Sequence, residues 1–348
     1  MGDLGAAGAV VEEGSRPGVR GRPGRPVRLR GGAHVALGLE LNTDYVSTVL
    51  VDLAGDVLLA RARPVGTGDP LAALVALARE TQGSLGPGSA LVGVTVAVPA
   101  LVRGDSRTVV WSPHIRATGP DVAEALDDLA PGVRVRVSND ADCAAYAEAH
   151  HGAARGVDHA ICLTGTVGIG AGIVDDGDLV RGAAGFAGEV GHMPVGDPTA
   201  RCGCGRRGCW EASIGLHAML DAVGMPELDT PAASAQAVAE RARHDTVVRD
   251  TLTRLGHDLG LGIAMLSSVL DPQVVVLGGY FVPLGELVLE PARRTLDARL
   301  ASDAQVRPEL RLSALGTRAA ALGAAEQSLG PVLSGDLELA ASAWTSGA

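Results

Sequence analysis

The chain contains no lysine: all 29 basic side chains are arginine, set against 40 acids for a net charge of −11. Aromatic residues are almost as scarce, eight in all. No uncharged apolar run reaches the ~18 residues that a membrane span requires. The N-terminus lacks the continuous apolar stretch of a signal peptide. There are five cysteines, and three of them crowd into Cys202–Cys209, which does not suit a secreted disulfide framework. A cytoplasmic location without a membrane partner is expected. What the chain does have is 348 residues with 47% apolar content, enough aliphatic material for a sizeable core and about two domains.

Charge is unevenly distributed. Residues 1–32 carry Arg16, Arg20, Arg22, Arg25, Arg28 and Arg30 against three acids, leaving −14 on the other 316 residues. An acidic body repels phosphate backbones, so only the first segment can favour nucleic acid. Residues 14–32 read as an Arg/Gly/Pro linker or arm. From His34 the pattern changes. Strands are predicted over 34–41, 45–51 and 56–62, with a turn at Asp52–Gly55. Asp69-Pro70 then supplies an N-cap and first-turn proline for a helix. Further strands follow at 91–98 and 133–137, and a helix at 141–151. A second round places strands at 159–163 and 172–174, a hairpin at Asp176-Gly177, and a long loop to about Arg207. Helices are predicted over 211–222, 231–243, 246–269, 287–299 and 318–328, and strands at 273–277 and 308–314. Strands followed by helices, twice over, predict two α/β lobes with a cleft between them.

The sharpest local pattern is Cys202-Gly203-Cys204-Gly205-Arg206-Arg207-Gly208-Cys209. Interleaved glycines let a tight loop aim three sulfurs at one point, as tetrahedral zinc requires. His192 is the nearest fourth ligand; His217 is next, on a helix leading away. With no open coordination position, such a site pins a loop and does no chemistry itself. Cys143 and Cys162 fall in helix and strand patterns and read as core residues.

His192, the Cys-x-Cys-x4-Cys run and Glu211, together with Asn139-Asp140-Ala141-Asp142, Gly188–His192 and Val276-Leu277-Gly278-Gly279, resemble the signature of the ROK family. That family comprises sugar kinases and sugar-responsive repressors. The resemblance covers roughly residues 33–328 and implies an actin-like (ribonuclease H-like) two-lobed ATPase-type α/β fold with a structural zinc loop at 189–211. The lobes are expected at 33–138 with 312–330 and at 139–311, preceded by a winged-helix remnant and linker at 1–32 and followed by a flexible tail at 331–348. The resemblance also implies sugar-hydroxyl contacts from Asn139, Asp140, Glu189, His192 and Glu211. Zinc ligation falls to His192, Cys202, Cys204 and Cys209, and a nucleotide edge to Gly278 and Gly279. Carboxylates and an amide suit a ring of hydroxyls, and His192 can serve metal and sugar through its two ring nitrogens.

A kinase of this family needs Asp140 as general base and a phosphate cradle for ATP and magnesium. Family kinases carry Asp-x-Gly-Gly-Thr at the first phosphate loop; here the stretch is Glu40-Leu41-Asn42-Thr43-Asp44. Asp44 sets a carboxylate against a triphosphate, at about 4 kcal/mol for each like-charge pair ~4 Å apart at an effective dielectric of ~20. In the second loop, Gly165–Gly172, Val167 replaces a hydroxyl-bearing threonine. Tyr280 and Phe281 follow the glycine pair and either fill the nucleotide slot or pack the core. The sequence therefore predicts an intact sugar side beside a phosphate cradle that is filled in and repellent. That combination fits the repressor branch: a sugar sensor, expected as a homodimer, controlling a winged-helix domain largely missing ahead of Met1. Gly21–Pro26 resembles the end of the wing. The competing expectations are an ATP-dependent hexose kinase and a scaffold that binds neither ligand. His114 stands where family members often have an asparagine near the sugar.

Overall fold

The computed structural model describes residues 5, 7–13, 26–112, 115–130, 132–166, 168–300, 307–336 and 339. Most of the arginine arm, His114 and Val167 lie outside them. Two short strands come first, β1 (Val10–Glu12) and β2 (Val27–Leu29), paired antiparallel. The first sheet is built from β3 (His34–Leu41), β4 (Tyr45–Asp52) and β5 (Val57–Pro64), then helix α1 (Pro70–Gln82) and β6 (Ala90–Val98). A small ribbon, β7 (Leu101–Val102) with β8 (Val109–Trp111), and the short α2 (Asp121–Glu124) lead into β9 (Val135–Asn139) and α3 (Asp140–His151). The second sheet takes β10 (Ala160–Gly165), β11 (Ile169–Asp175) and β12 (Asp178–Leu179). Helices α4 (Glu211–Ile214), α5 (Leu216–Val223), α6 (Pro231–Arg241) and α7 (Thr246–Leu270) follow. The chain then forms β13 (Val274–Gly279), α8 (Phe281–Leu284), α9 (Glu286–Arg299), β14 (Glu309–Leu312) and α10 (Ala319–Leu333).

The two sheets repeat one topology. The first has the order β5-β4-β3-β6-β9 and the second β12-β11-β10-β13-β14. In each, an antiparallel meander is extended by two parallel strands. The local chemistry explains the elements. Every residue of β3 is buried, as a strand covered on both faces must be. Asp69 caps α1 by accepting from Leu71 N, and Asp176 and Gly177, both at positive φ, make the turn between β11 and β12.

Helices α3 and α10 pack together, α10 against the first sheet and α3 against the second. Their contact depends on small side chains: a Cβ at Gly323 would lie 1.8 Å from Cys143 O. These helices therefore link both sheets to the start of α3, where Asn139 and Asp140 stand.

Three expectations are corrected. The linker reading of 14–32 fails at its end, because Val27–Leu29 pairs with Val10–Glu12. Glu13 N also donates to Pro26 O. The partner strand lies far upstream, so no local pattern announces the pairing. Ala9 enters the core beside Ala36 and Leu322, and the His34 ring contacts Ala7 O at 2.7 Å. The single helix at 211–222 is two, broken at Gly215, whose ψ of 161° is extended. The tail expected from 331 is helical at its start: α10 runs to Leu333 with Pro331 inside its last turn, where Ser334 N still donates to Gly330 O, and residues 340–348 lie outside the described residues. Among the described residues no helix is long and apolar enough to cross a membrane.

Candidate functional site

Asn139 ends β9 and caps α3. Its Oδ1 accepts from Ala141 N and Asp142 N, and its Nδ2 donates to Ala100 O at 3.2 Å, which leaves one amide N–H for a ligand. Asp140 follows as the first residue of α3, buried, with Oδ1 accepting from Ala141 N at 2.9 Å. Burial, and then the charge of Glu40, push its carboxyl up to about 7. Glu189 sits at the end of the loop after β12, its carboxyl raised by burial. Glu211 opens α4 and anchors the turn into β11 by accepting from Ile169 N at 2.9 Å. These four, with His192, line one polar pocket of about 90 Å³. All five residues expected at a sugar are thus brought together from β9, α3, the long loop and α4.

The candidate metal ligands cluster beside the same pocket, which His192 and Cys204 line. His192, Cys202, Cys204 and Cys209 hold their donor atoms within 4.8 Å of one another. Cys204 Sγ and Cys209 Sγ are 3.7 Å apart, as are Cys202 Sγ and His192 Nδ1. Tetrahedral sites with metal–sulfur bonds near 2.3 Å have edges of about 3.8 Å, so three thiols and an imidazole fit a metal ion here. Burial opposes a thiolate at Cys204, but hydrogen bonds from the Arg206 backbone and guanidinium outweigh it and bring the thiol down to about 6. The other face of the imidazole looks into the pocket, with Nε2 4.0 Å from Glu189 Oε2. His217 takes no part: it is exposed on α5 and meets Glu227 at 3.2 Å. Cys143 and Cys162 are buried core thiols, and burial pushes Cys143 up to about 12.

The nucleotide side departs from expectation. Tyr280 and Phe281 do not fill the slot. Both are fully buried in the core of the second lobe, and Tyr280 OH donates to Ile214 O at 2.8 Å. A cleft of about 570 Å³ remains beside Asp140, lined by Glu40, Asp44, Thr164, Thr166, Gly279 and Thr317 among others. Thr164 and Thr166 supply the hydroxyls that Val167 does not. Gly279 lines this cleft and Gly278 does not. The glycine at 279 has a structural reason independent of any ligand: its φ is +64°, and a Cβ there would meet Gly165 O at 1.9 Å. Four carboxylates, Glu40, Asp44, Asp140 and Asp229, line the cleft, and Arg63 is the only cation among its lining residues. Glu40 is buried and pushed up to about 7, although Tyr45 OH donates to it at 2.5 Å and Ser47 OH at 3.1 Å.

Sequence reasoning missed Tyr45, Ser47 and Trp111. Ser47 lies opposite Glu40 in the β3–β4 register, so extending the predicted hairpin would have found it. Trp111, half-exposed at the sugar-side pocket, comes from the β7–β8 ribbon, whose strands are too short to show a period.

The family model "ROK family" matches residues 36–328. The chain is 30% identical over 307 residues to the xylose repressor of Bacillus subtilis strain 168, covering 86% of this chain and 78% of the repressor. Among solved structures, a ROK family glucokinase from Streptomyces griseus, in complex with glucose and AMPPNP, matches with a TM-score of 0.70 and 27% identity, over 84% of this chain and 98% of that one. A ROK family transcriptional regulator, a homologue of the E. coli MLC protein, matches with a TM-score of 0.75 and 24% identity, over 94% and 86%.

Proposed function

The chain belongs to the ROK family, and from that premise we propose that it is the sugar-sensing body of a transcriptional regulator, in which a structural zinc ion holds the sugar pocket. A sugar bound between the lobes alters the DNA affinity of a winged-helix module attached to this body, which works as a homodimer. The observation that carries the reading is an asymmetry. Five polar side chains suited to hydroxyls converge at the Cys/His cluster, to which His192 also belongs, while four carboxylates, Glu40, Asp44, Asp140 and Asp229, line the neighbouring cleft. The likeness to a xylose repressor supports the regulator branch.

In this reading Asp140, Glu189 and Glu211 accept from sugar hydroxyls, Asn139 donates its remaining N–H, and His192 Nε2 contacts a sugar oxygen. His192 Nδ1 and the sulfurs of Cys202, Cys204 and Cys209 would hold the zinc, which supplies only rigidity to residues 189–211. Closure of the lobes around the sugar is the signalling step.

A second reading, an ATP-dependent hexose kinase with Asp140 as general base, is favoured by one observation: the cleft beside Asp140 is open and carries Thr164 and Thr166. The residues present fit a triphosphate poorly, since Glu40 and Asp44 stand where its charge would fall, so no step through ATP and magnesium is derived. A thermal-shift screen of monosaccharides, run beside a coupled ADP-release assay, separates the readings. The sensor raises its melting temperature with a sugar and releases no ADP. Turnover above ~1 per second, abolished by Asp140→Asn, would establish the kinase instead. No response to any sugar would leave a scaffold.

A further inference from the structure

A second polar cavity, of about 350 Å³, lies away from both pockets already described, at the seam between the lobes. Arg136 and Ser138, two apart on β9 and therefore on one face, enter it from the first sheet. Arg181 enters from the segment after β12, and Gln327 from α10. The site is built rather than incidental: Arg181 Nη2 donates to Gln327 Oε1 at 2.7 Å, and Ser138 Oγ points to the same oxygen at 3.5 Å. Tyr146 of α3 also lines it.

The charge here runs against the rest of the molecule. The chain as a whole is strongly acidic, yet Arg136 is half-buried and no carboxylate pairs with it among the described residues. Its neighbours make matters worse: burial, then Arg181 and Arg134, press its guanidinium toward the neutral form. Four carboxyls are near: Glu326 and Asp178 act on Tyr146 from outside the lining, and two lie closer. Asp336 lines the cavity and accepts from Ser334 Oγ at 2.7 Å. Asp142 feels Arg181, but burial holds its carboxyl up at about 7, so it is a partial countercharge. Guanidinium groups collected in a cavity are anion receptors, because each presents a planar fork of N–H donors, and Arg181 keeps donors beyond the one given to Gln327.

We propose that this cavity binds the phosphate group of a small phosphorylated ligand between Arg136 and Arg181. Two cations match the up to two charges of a phosphomonoester, and the hydroxyls of Ser138 and Tyr146 add donors for its third oxygen, which a carboxylate lacks. The volume leaves room for an organic part. Such a ligand ties β9 to the segment that ends at Glu189, and Ser138 adjoins Asn139, so occupancy reaches the sugar pocket through two covalent connections. This inference does not depend on the sensor reading.

The test is isothermal titration of the zinc-loaded chain with inorganic phosphate and with a hexose 6-phosphate, at constant ionic strength in chloride. Saturable binding is expected, weakened at least tenfold in Arg136→Gln and in Arg181→Gln, with circular dichroism and zinc content unchanged. Arg181 is exposed, so its variant keeps the test decisive if Arg136→Gln folds poorly. Equal affinity for the two probes identifies free phosphate as the ligand; tighter binding of the ester identifies a phosphorylated sugar. The proposal is overturned if wild type shows no saturation by ~10 mM, if both variants bind as wild type does, or if only Asp140→Asn abolishes binding, which would place the phosphate in the sugar pocket.

Discussion

Glu40 and Asp140 line the same cleft, both buried and both raised to about 7. Tyr45 and Ser47 approach Glu40 from β4, and Glu189 adds a like charge to Asp140 from the long loop. An acid whose folded pKa lies above its unfolded value binds the proton more tightly when folded. Its destabilising charge is absent below the unfolded value and fully present once the pH exceeds the folded one. Stability should therefore fall as pH rises from about 4 to about 7. Asp140→Asn and Glu40→Gln should each stabilise the fold by on the order of 1–3 kcal/mol at pH 8, seen as a raised melting temperature, and leave it nearly unchanged at pH 4. A melting series whose pH slope is the same in both variants as in wild type would contradict this. The same Asp140→Asn change should weaken sugar binding at least tenfold, since a hydroxyl then meets an amide instead of a charged acceptor. Trp111, at the pocket, gives a fluorescence readout.

At the scale of elements, the loop from Glu189 to Glu211 contains one three-residue turn of helix and otherwise irregular chain. Val190 and Trp210 anchor its two ends in the core of the second lobe, with Met193 and Val195 packed against it, so a metal ion at the thiols would add its constraint chiefly to the part between them, residues 196–208. One zinc per chain is expected by elemental analysis. Cys209→Ser, or chelation, should lower the melting temperature by roughly 5 °C or more and abolish the sugar response. Full sugar binding by metal-stripped protein would refute the structural role. The α3–α10 contact makes a sharper prediction. Gly323→Ala forces a methyl against the backbone of Cys143 and should cost about 2–3 kcal/mol. Gly330→Ala, on the same helix, meets nothing beyond its chain neighbours within 4 Å of its Cβ; its propensity gain of about 0.5–1 kcal/mol is opposed by the ring of Pro331, which disfavours helical backbone before it, so the net change should be small. Denaturant melts of the pair separate packing from helix propensity.

Across the whole molecule, Asn139 comes from the end of the first sheet while Glu189, His192 and Glu211 come from the loop and helix beside the second, so the proposed sensor should draw the lobes together on binding. Small-angle scattering should show a smaller radius of gyration at saturating sugar than without it. An unchanged profile, with binding verified by Trp111 fluorescence, would remove closure from the mechanism. Asp44 of the first lobe, its carboxyl raised mainly by burial, already feels Glu227 and His217 of the second.

The sequence by itself determined whatever is encoded over a few neighbouring residues. The boundaries of β3, α1 and α3, the turn at Asp176-Gly177 and the clustering of Cys202, Cys204 and Cys209 all follow from periodicity, capping and spacing. The five pocket residues were reached through family resemblance, because their convergence spans seventy positions of chain. Only the tertiary structure decided matters of contact between distant segments. It paired Val27–Leu29 with a strand far upstream, sent Tyr280 and Phe281 into the core and so left the cleft open, and gathered Arg136, Arg181 and Gln327 around one cavity. Local sequence sets which way a side chain points from its own strand or helix; what it then faces is set by packing, which no local pattern records.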